Sequence, residues 1–271
     1  MFLDTLPARP CVIPDSAIVL AAGRGERMLP LTERIPKPML IISGSTILDR
    51  AIEHLFKTGI KKIVINTCHL ASNIEEHIMA LNDSRLLLSS EKDPLETGGG
   101  VKKALPLLGK EAFYVINGDS VWVDGMKSPL LRLAESWDPE IMDILLMLAP
   151  MSSVNNFHGL GDFTMDQLGR LSRRSEKNVA PFSYMGISII NPAIFTDAPD
   201  GAFSLNWAYD HAIKSNRLLT SLSTFLNVLA KYSAIICMPL HIPNIGILLI
   251  KQYFINSSSN ESLDFDRSLS L

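Results

Sequence analysis

The chemistry of this chain is concentrated in one run near its start, Leu20-Ala21-Ala22-Gly23-Arg24-Gly25-Glu26-Arg27-Met28, followed by Pro36-Lys37-Pro38. The apolar stretch Ala17–Leu20 reads as a strand, and it ends in small residues and glycines. Glycine lacks a Cβ, so its backbone can approach a ligand closely. Successive N–H groups in such a turn form a concave anion site. Arg27 and Lys37 add fixed positive charge beside it. Prolines on either side of Lys37 restrict the backbone and help aim a flexible side chain. Together these residues suit a nucleoside triphosphate and a second phosphate held side by side.

Two common phosphate motifs fail on spacing. A dinucleotide fingerprint needs a third glycine three residues after the second, and that position is Met28. A P-loop ends in Gly-Lys-Ser or Gly-Lys-Thr, and no such tripeptide follows Gly25. Gly23-x-Gly25 alone is equally compatible with an ordinary strand turn. The ordered addition of Arg27, Pro30-Leu31-Thr32 and Pro36-Lys37-Pro38 argues for a phosphate site.

Three later motifs extend the pattern: Leu95-Glu96-Thr97-Gly98-Gly99-Gly100, Val115-Ile116-Asn117-Gly118-Asp119 and Tyr184-Met185-Gly186-Ile187. Asp119 follows an apolar strand. It would sit at the carboxyl end of a parallel sheet, where open α/β sheets place ligands. A magnesium ion takes oxygen ligands and often uses one or two carboxylates plus phosphates, which makes Asp119 the metal-ligand candidate; a turn aspartate is the plainer alternative.

With these motifs the chain resembles the sugar-1-phosphate nucleotidyltransferases from about residue 16 to residue 218. The Leu-Glu-Thr-Gly-Gly-Gly variant most resembles the branch that forms UDP-N-acetylmuramic acid. Bacterial mannose-1-phosphate guanylyltransferases are similar as well. The resemblance implies a Rossmann-like α/β fold with a mostly parallel central sheet and helices on both faces. It implies that Ala21, Ala22, Gly23, Gly25, Arg27, Glu96, Thr97, Gly98 and Gly99 lie against the nucleotide. Arg27 and Lys37 would be the catalytic cations, with magnesium at Asp119. Asn117, Gly161, Glu176, Lys177, Tyr184 and Gly186 would fall around the sugar phosphate. Glu96–Gly99 reads equally as a helix start capped by Thr97, Asn117 as a turn residue, and Tyr184 as a half-buried strand residue. Asn156 and His158 read more simply as loop residues than as polar contacts.

The elements that must position these residues are legible as alternating signals, which predicts parallel strands. Strands are expected at Lys61–Asn66, Leu86–Leu88, Phe113–Ile116, Met142–Leu148 and Met185–Ile190. Apolar residues at helical spacing predict helices over Ile47–Phe56, capped by Gly59, and over a segment with Ile74, Ile78 and Leu81. Ser72 and Glu75 are placed to form a capping box for the latter. Further helices are expected over Gly98–Leu108, Leu130–Trp137 and Phe203–Ser215, and a hairpin about Gly169.

The 271 residues fit one domain. A net charge of -3 argues against a general nucleic-acid binder. Cys11, Cys68 and Cys237 lack metal or disulfide spacing, and His69 and His77 lack ligand spacing. Residues 1–15 read as an extension without a secretory h-region. Pro239, His241, Pro243 and Asn244 interrupt the apolar stretch Ser233–Ile250, so no spanning helix is expected. These features predict a cytoplasmic protein and leave a homo-oligomer open.

Residues 219–271 depart from the resemblance. It implies a late acidic or histidine residue followed by Gly-Thr-Pro, holding a second metal. The nearest fragment, Asn244-Ile245-Gly246-Ile247, lacks both parts, and Asp210 reads as a surface residue. The segment therefore reads as an atypical tail, disordered at its end. A catalytically weak nucleotide-binding subunit remains the alternative to an enzyme.

Overall fold

The computed structural model describes residues 12–125, 127–153 and 159–222. In chain order the first elements are β1 (Ser16–Leu20), β2 (Ile41–Ile42), β3 (Ser45–Thr46) and α1 (Ile47–Thr58). They are followed by β4 (Lys62–Thr67), α2 (Ala71–Leu81), β5 (Leu86–Ser90), α3 (Glu96–Leu108) and β6 (Phe113–Asn117). Next come α4 (Pro129–Ser136), β7 (Ile144–Pro150), β8 (Phe163–Met165), β9 (Leu171–Arg173), β10 (Phe182–Ile190), α5 (Asn206–Lys214) and β11 (Leu218–Leu222).

The main sheet runs β11-β7-β10-β6-β1-β4-β5, with β8 and β9 appended to β10. β1 is parallel to β4 and β6, β4 to β5, and β7 to β11. β10 alone among the strands on this path runs antiparallel to its neighbours, β6 and β7. The sheet is thus mixed and mostly parallel.

Strand residues are apolar on both sides because each side is covered. Ala17 and Val19 of β1, Ile63 and Ile65 of β4, and Tyr114 and Ile116 of β6 face α1, α2 and α4. Ile18, Val64, Phe113 and Val115 alternate to the opposite face, against α3 and α5. This period-two switch between apolar layers is what continuous hydrophobic runs indicate in a covered sheet. Burying one such side chain contributes roughly 1.5–3 kcal/mol. Helix α1 begins with Thr46 accepting from Asp49 N at 2.9 Å and ends at Gly59 in the left-handed region, as expected.

Four readings of the sequence change. Helix α2 begins at Ala71 after Leu70, with no side-chain cap, so Ser72 is not its cap. Glu75 instead accepts from Thr67 Oγ1 at 2.8 Å and from Ser90 Oγ, tying the helix to the ends of β4 and β5. Helix α3 starts at Glu96, two residues ahead of the expected Gly98. β11 pairs with β7 through Leu222 and continues the same sheet past the boundary expected at residue 218. The hairpin about Gly169 forms as expected, from β8 and β9.

Candidate active site

Parallel alignment brings several strand ends to one edge. Leu20 is in register with Asn66 of β4 and with Asn117 of β6. The segments leaving β1, β4 and β6 therefore open side by side at the carboxyl edge, the usual ligand edge of such sheets.

The segment after β1 goes from Ala21, buried, through half-buried Ala22 to exposed Gly23. Gly25 has φ +65 and precedes a short 3-10 turn, Glu26–Met28, that carries exposed Arg27. The chain then folds back on itself. Thr32, 1% exposed, donates from Oγ1 to Gly25 O at 2.9 Å. A Cβ on Gly25 would stand 3.0 Å from Thr32 and 3.3 Å from Lys37. The glycine loop and the lysine are thus packed together although twelve positions separate them.

Lys37 opens a second 3-10 turn, Lys37–Met39, after Pro36. Its Nζ reaches Asp119 Oδ2 at 2.6 Å, with 21% and 30% of the two side chains exposed. Gly118 makes this approach possible. Its N–H donates to Leu20 O at 2.9 Å, and a Cβ there would stand 2.3 Å from that oxygen and 3.1 Å from Pro38. The cation and the carboxylate read separately from the sequence are therefore one ion pair at the sheet edge. Such a pair can part when a phosphate claims the ammonium and a cation claims the carboxylate.

Gly186, at φ +76, marks the shift in pairing between β10 and β7. A Cβ on it would meet Ser120 Oγ at 2.3 Å and Asn117 Cβ at 3.0 Å. Asn117, Asp119 and Gly186 thus share one wall with Lys37.

Other expected contacts fall elsewhere. Tyr184 lies in the core, 7% exposed, edge-on to Tyr209 at 5.8 Å. Its hydroxyl lies 3.3 Å from Ser188 Oγ, and burial raises its pKa. The ring packs in the core, on the side of β10 that faces α5, which matches the reading of Tyr184 as a strand residue. Gly161 is packed under Ala180, whose carbonyl a Cβ would meet at 2.2 Å. Glu176 and Lys177 are exposed in a loop knitted together by Arg174, which donates to the carbonyls of Gly161 and Glu176 at 3.2 and 2.9 Å. No bond joins this loop to Lys37 or Asp119 among the described residues. Asp210 pairs with Arg173 on the surface, as expected, and His77 is a structural partner of Asp49 at 2.7 Å. Asn156, His158 and Asn244–Ile247 lie outside the described residues.

The Glu96–Gly100 segment is placed differently from a free base-reading loop. Glu96 sits at φ +57, and Glu96 and Thr97 are exposed. Thr97 does not cap α3; its Oγ1 accepts from Leu205 N at 2.8 Å. The N–H groups of Gly98 and Gly99 donate to Phe203 O at 2.8 and 3.1 Å. A Cβ on Gly98 would stand 2.5 Å from the Phe203 ring, and one on Gly99 2.3 Å from Gly201 O. These amides are committed within the protein, and the two glycines admit the 201–205 chain.

Sequence reasoning missed two buried polar residues. Asn66 Oδ1 accepts from Ala21 N at 2.7 Å, and Asn66 Nδ2 donates to Glu91 Oε1 at 2.7 Å. Glu91, 6% exposed, accepts from Leu95 N at 3.1 Å through its other oxygen. The partners lie 45 and 25 positions apart, so no local motif announces them. Cys68 stands nearby, and its pKa is raised by burial and by the Glu91 and Asp93 carboxylates.

Comparison with known proteins bears on this arrangement. Residues 16–198 match the nucleotidyl transferase family. An N-acetylmuramate alpha-1-phosphate uridylyltransferase of Caulobacter vibrioides is 38% identical over 197 residues, covering 71% of this chain and 81% of that protein. A D-glycero-alpha-D-manno-heptose 1-phosphate guanylyltransferase of Campylobacter jejuni is 32% identical over 185 residues, covering 67% and 78%. The crystal structure of HddC from Yersinia pseudotuberculosis, complexed with GMP-PN, aligns with a TM-score of 0.64 at 24% identity, covering 79% of this chain and 92% of that one. That likeness shows a shared fold.

Proposed function

The chain belongs to the nucleotidyl transferase family, and on that premise we propose that it joins UTP to N-acetylmuramate 1-phosphate and releases pyrophosphate. A phosphate oxygen of the sugar attacks the α-phosphorus of the nucleotide. The bond from that phosphorus to the β-phosphate bridging oxygen breaks, and pyrophosphate leaves with the electron pair. Positioning and charge neutralisation are the main demands of such a transfer.

The observation that carries the reading is the Lys37–Asp119 pair at 2.6 Å, set between the β1 loop and the end of β6. It sets one cation beside one oxygen donor, which is what a site for two phosphates and a metal requires. Gly23 and Gly25 cradle the triphosphate, Arg27 holds the departing pyrophosphate, and Lys37 binds the reacting phosphates. Asn117 and Gly186 border the sugar phosphate. Similarity to the Caulobacter uridylyltransferase supports the choice of substrates.

The donor set suits magnesium. Asp119 offers a hard oxygen ligand, and among the described residues no group of three or more His, Cys, Asp or Glu could hold a metal by itself. An ion that shares its coordination between one carboxylate and substrate phosphates matches magnesium's habits. When bound it offsets charge on the phosphate oxygens.

The guanylyltransferase similarity favours a second reading, GTP with a mannose- or heptose-type 1-phosphate. Pyrophosphate release with magnesium decides between them, crossing UTP, GTP, dTTP and CTP with N-acetylmuramate, mannose, glucose and N-acetylglucosamine 1-phosphates. The expected result is one dominant signal from UTP with N-acetylmuramate 1-phosphate. Dominance of GTP selects the second reading. Silence from folded protein that still binds a nucleotide overturns both and points to a regulatory relative.

A further inference from the structure

Asn66 and Glu91 join the start of the β1 loop, which the proposed function sets against the nucleotide, to the segment that leads into α3. Ala21 opens the β1 loop, and its N–H is held by Asn66 at 2.7 Å. Leu95 precedes the Glu96–Gly99 segment, and its N–H is held by Glu91 at 3.1 Å. Asn66 and Glu91 are themselves bonded at 2.7 Å. Asn66 is 2% and Glu91 6% exposed.

The polarity of this chain of bonds is forced. A carboxylate only accepts, while an amide has one accepting and one donating end. Glu91 therefore turns Asn66 Nδ2 toward itself, which leaves Asn66 Oδ1 facing Ala21 N–H. The other Glu91 oxygen is used by Leu95. A flipped Asn66 would set N–H against N–H at Ala21, and buried donors left unsatisfied are costly. Gly100 makes room for the arrangement, because a Cβ there would stand 2.7 Å from Asn66 Nδ2 and 2.8 Å from Glu91 Oε1.

We propose that Glu91, acting through Asn66, is a positioning residue for the nucleoside triphosphate: one carboxylate fixes the amide that opens the β1 loop and the amide that leads into α3. The inference rests on the function proposed above. It assigns the third glycine of the triplet to this pair rather than to the ligand.

The bond pattern supplies its own test. Glu91→Gln places an N–H against either Asn66 Nδ2 or Leu95 N. Asn66→Asp sets two carboxylates against each other. The paired variant Asn66→Asp/Glu91→Gln restores every bond. The new carboxylate accepts from Ala21 N and from the new amide, whose oxygen accepts from Leu95 N. Net charge is unchanged.

Wild-type, single and paired variants are compared in pyrophosphate release from UTP and N-acetylmuramate 1-phosphate, with thermal melts alongside. Each single variant is expected to lose about tenfold in kcat/KM for UTP through a raised KM. KM for the sugar phosphate should stay near wild type. The paired variant should return to within about threefold of wild type, as a coupled pair requires. Single variants with lowered melting temperature and unchanged KM for UTP overturn the inference, because a merely structural pair behaves so. If neither single variant folds, the paired variant decides: wild-type kinetics support the inference, and a raised KM or failure to fold overturns it. A silent wild-type enzyme overturns the functional reading, and this inference with it; an active wild type beside unaffected variants overturns the inference alone.

Discussion

Gly23 and Gly99 read alike in the sequence, each within a short glycine motif, and the fold uses them in opposite ways. Gly23 is exposed, and a Cβ on it would meet nothing within 4 Å. Gly99 is buried, and a Cβ on it would stand 2.3 Å from the Gly201 carbonyl. The first glycine faces open space. The second admits the chain itself. The β1 loop therefore differs from the α3 start in what lies against its backbone.

The sharpest test removes charge beside the open region. Lys37→Ala should cost roughly a hundred- to a thousandfold in kcat. Its melting temperature should fall only modestly, by less than the loss of turnover implies, because the pair keeps 21% and 30% of its side chains exposed. A large loss of stability with intact turnover would make the pair structural and erase the contrast. Arg27→Ala should cost about a hundredfold in turnover with folding intact, because Arg27 is exposed; unchanged turnover would remove it from the site.

Adding one methyl group then compares the two glycines directly. Gly99→Ala should destabilise the protein by about 1–3 kcal/mol through overpacking, measured by urea denaturation. Gly23→Ala should change stability by less than about 0.5 kcal/mol and weaken UTP binding measured by calorimetry. The reverse outcome would exchange the roles of the two regions.

The smallest effect lies away from both. Hydrogen bonds from Ser90 and then Thr67 lower the Glu75 pKa. A lowered folded pKa gives stability that is present above the unfolded value and is lost as pH falls through the folded value. Glu75→Gln should therefore flatten the acid side of a melting-temperature profile and leave neutral pH almost unchanged. An identical acid limb in both proteins would show that the Thr67–Ser90 bridge to α2 carries no pH dependence.

Much of this molecule was legible because its signals are local. Ala17–Leu20 and Phe113–Ile116 are apolar runs with a glycine two or three residues beyond their ends, and both are central strands. Lys37 and Asp119 stood out through their neighbours, and the fold joined them. Where partners come from afar the sequence is silent. Asn66 and Glu91 carry no motif, because their meaning lies in Ala21 and Leu95. Tyr184 is placed near the sugar by resemblance alone, and strand alternation turns its ring into the α5 layer. Thr97 resembled a helix cap because the competing donor, Leu205 N, lies 108 positions away. The end of β11 was hidden because Leu218–Leu222 shows its purpose only when β7 lies beside it.

β10 also governs the order in which the molecule can be completed. It lies between β6 and β7 and is bonded to both. The β5-β4-β1-β6 half can close as soon as Asn117 has emerged from the ribosome, since every strand in it is then present. β7 and β11 reach that half only through a strand made later than β7 itself. During synthesis, then, the nascent chain holds β5, β4, β1 and β6 with an open edge at β6 until residues 182–190 arrive. A translational pause before Phe182 would prolong that exposure, and a pause after Ile190 would not.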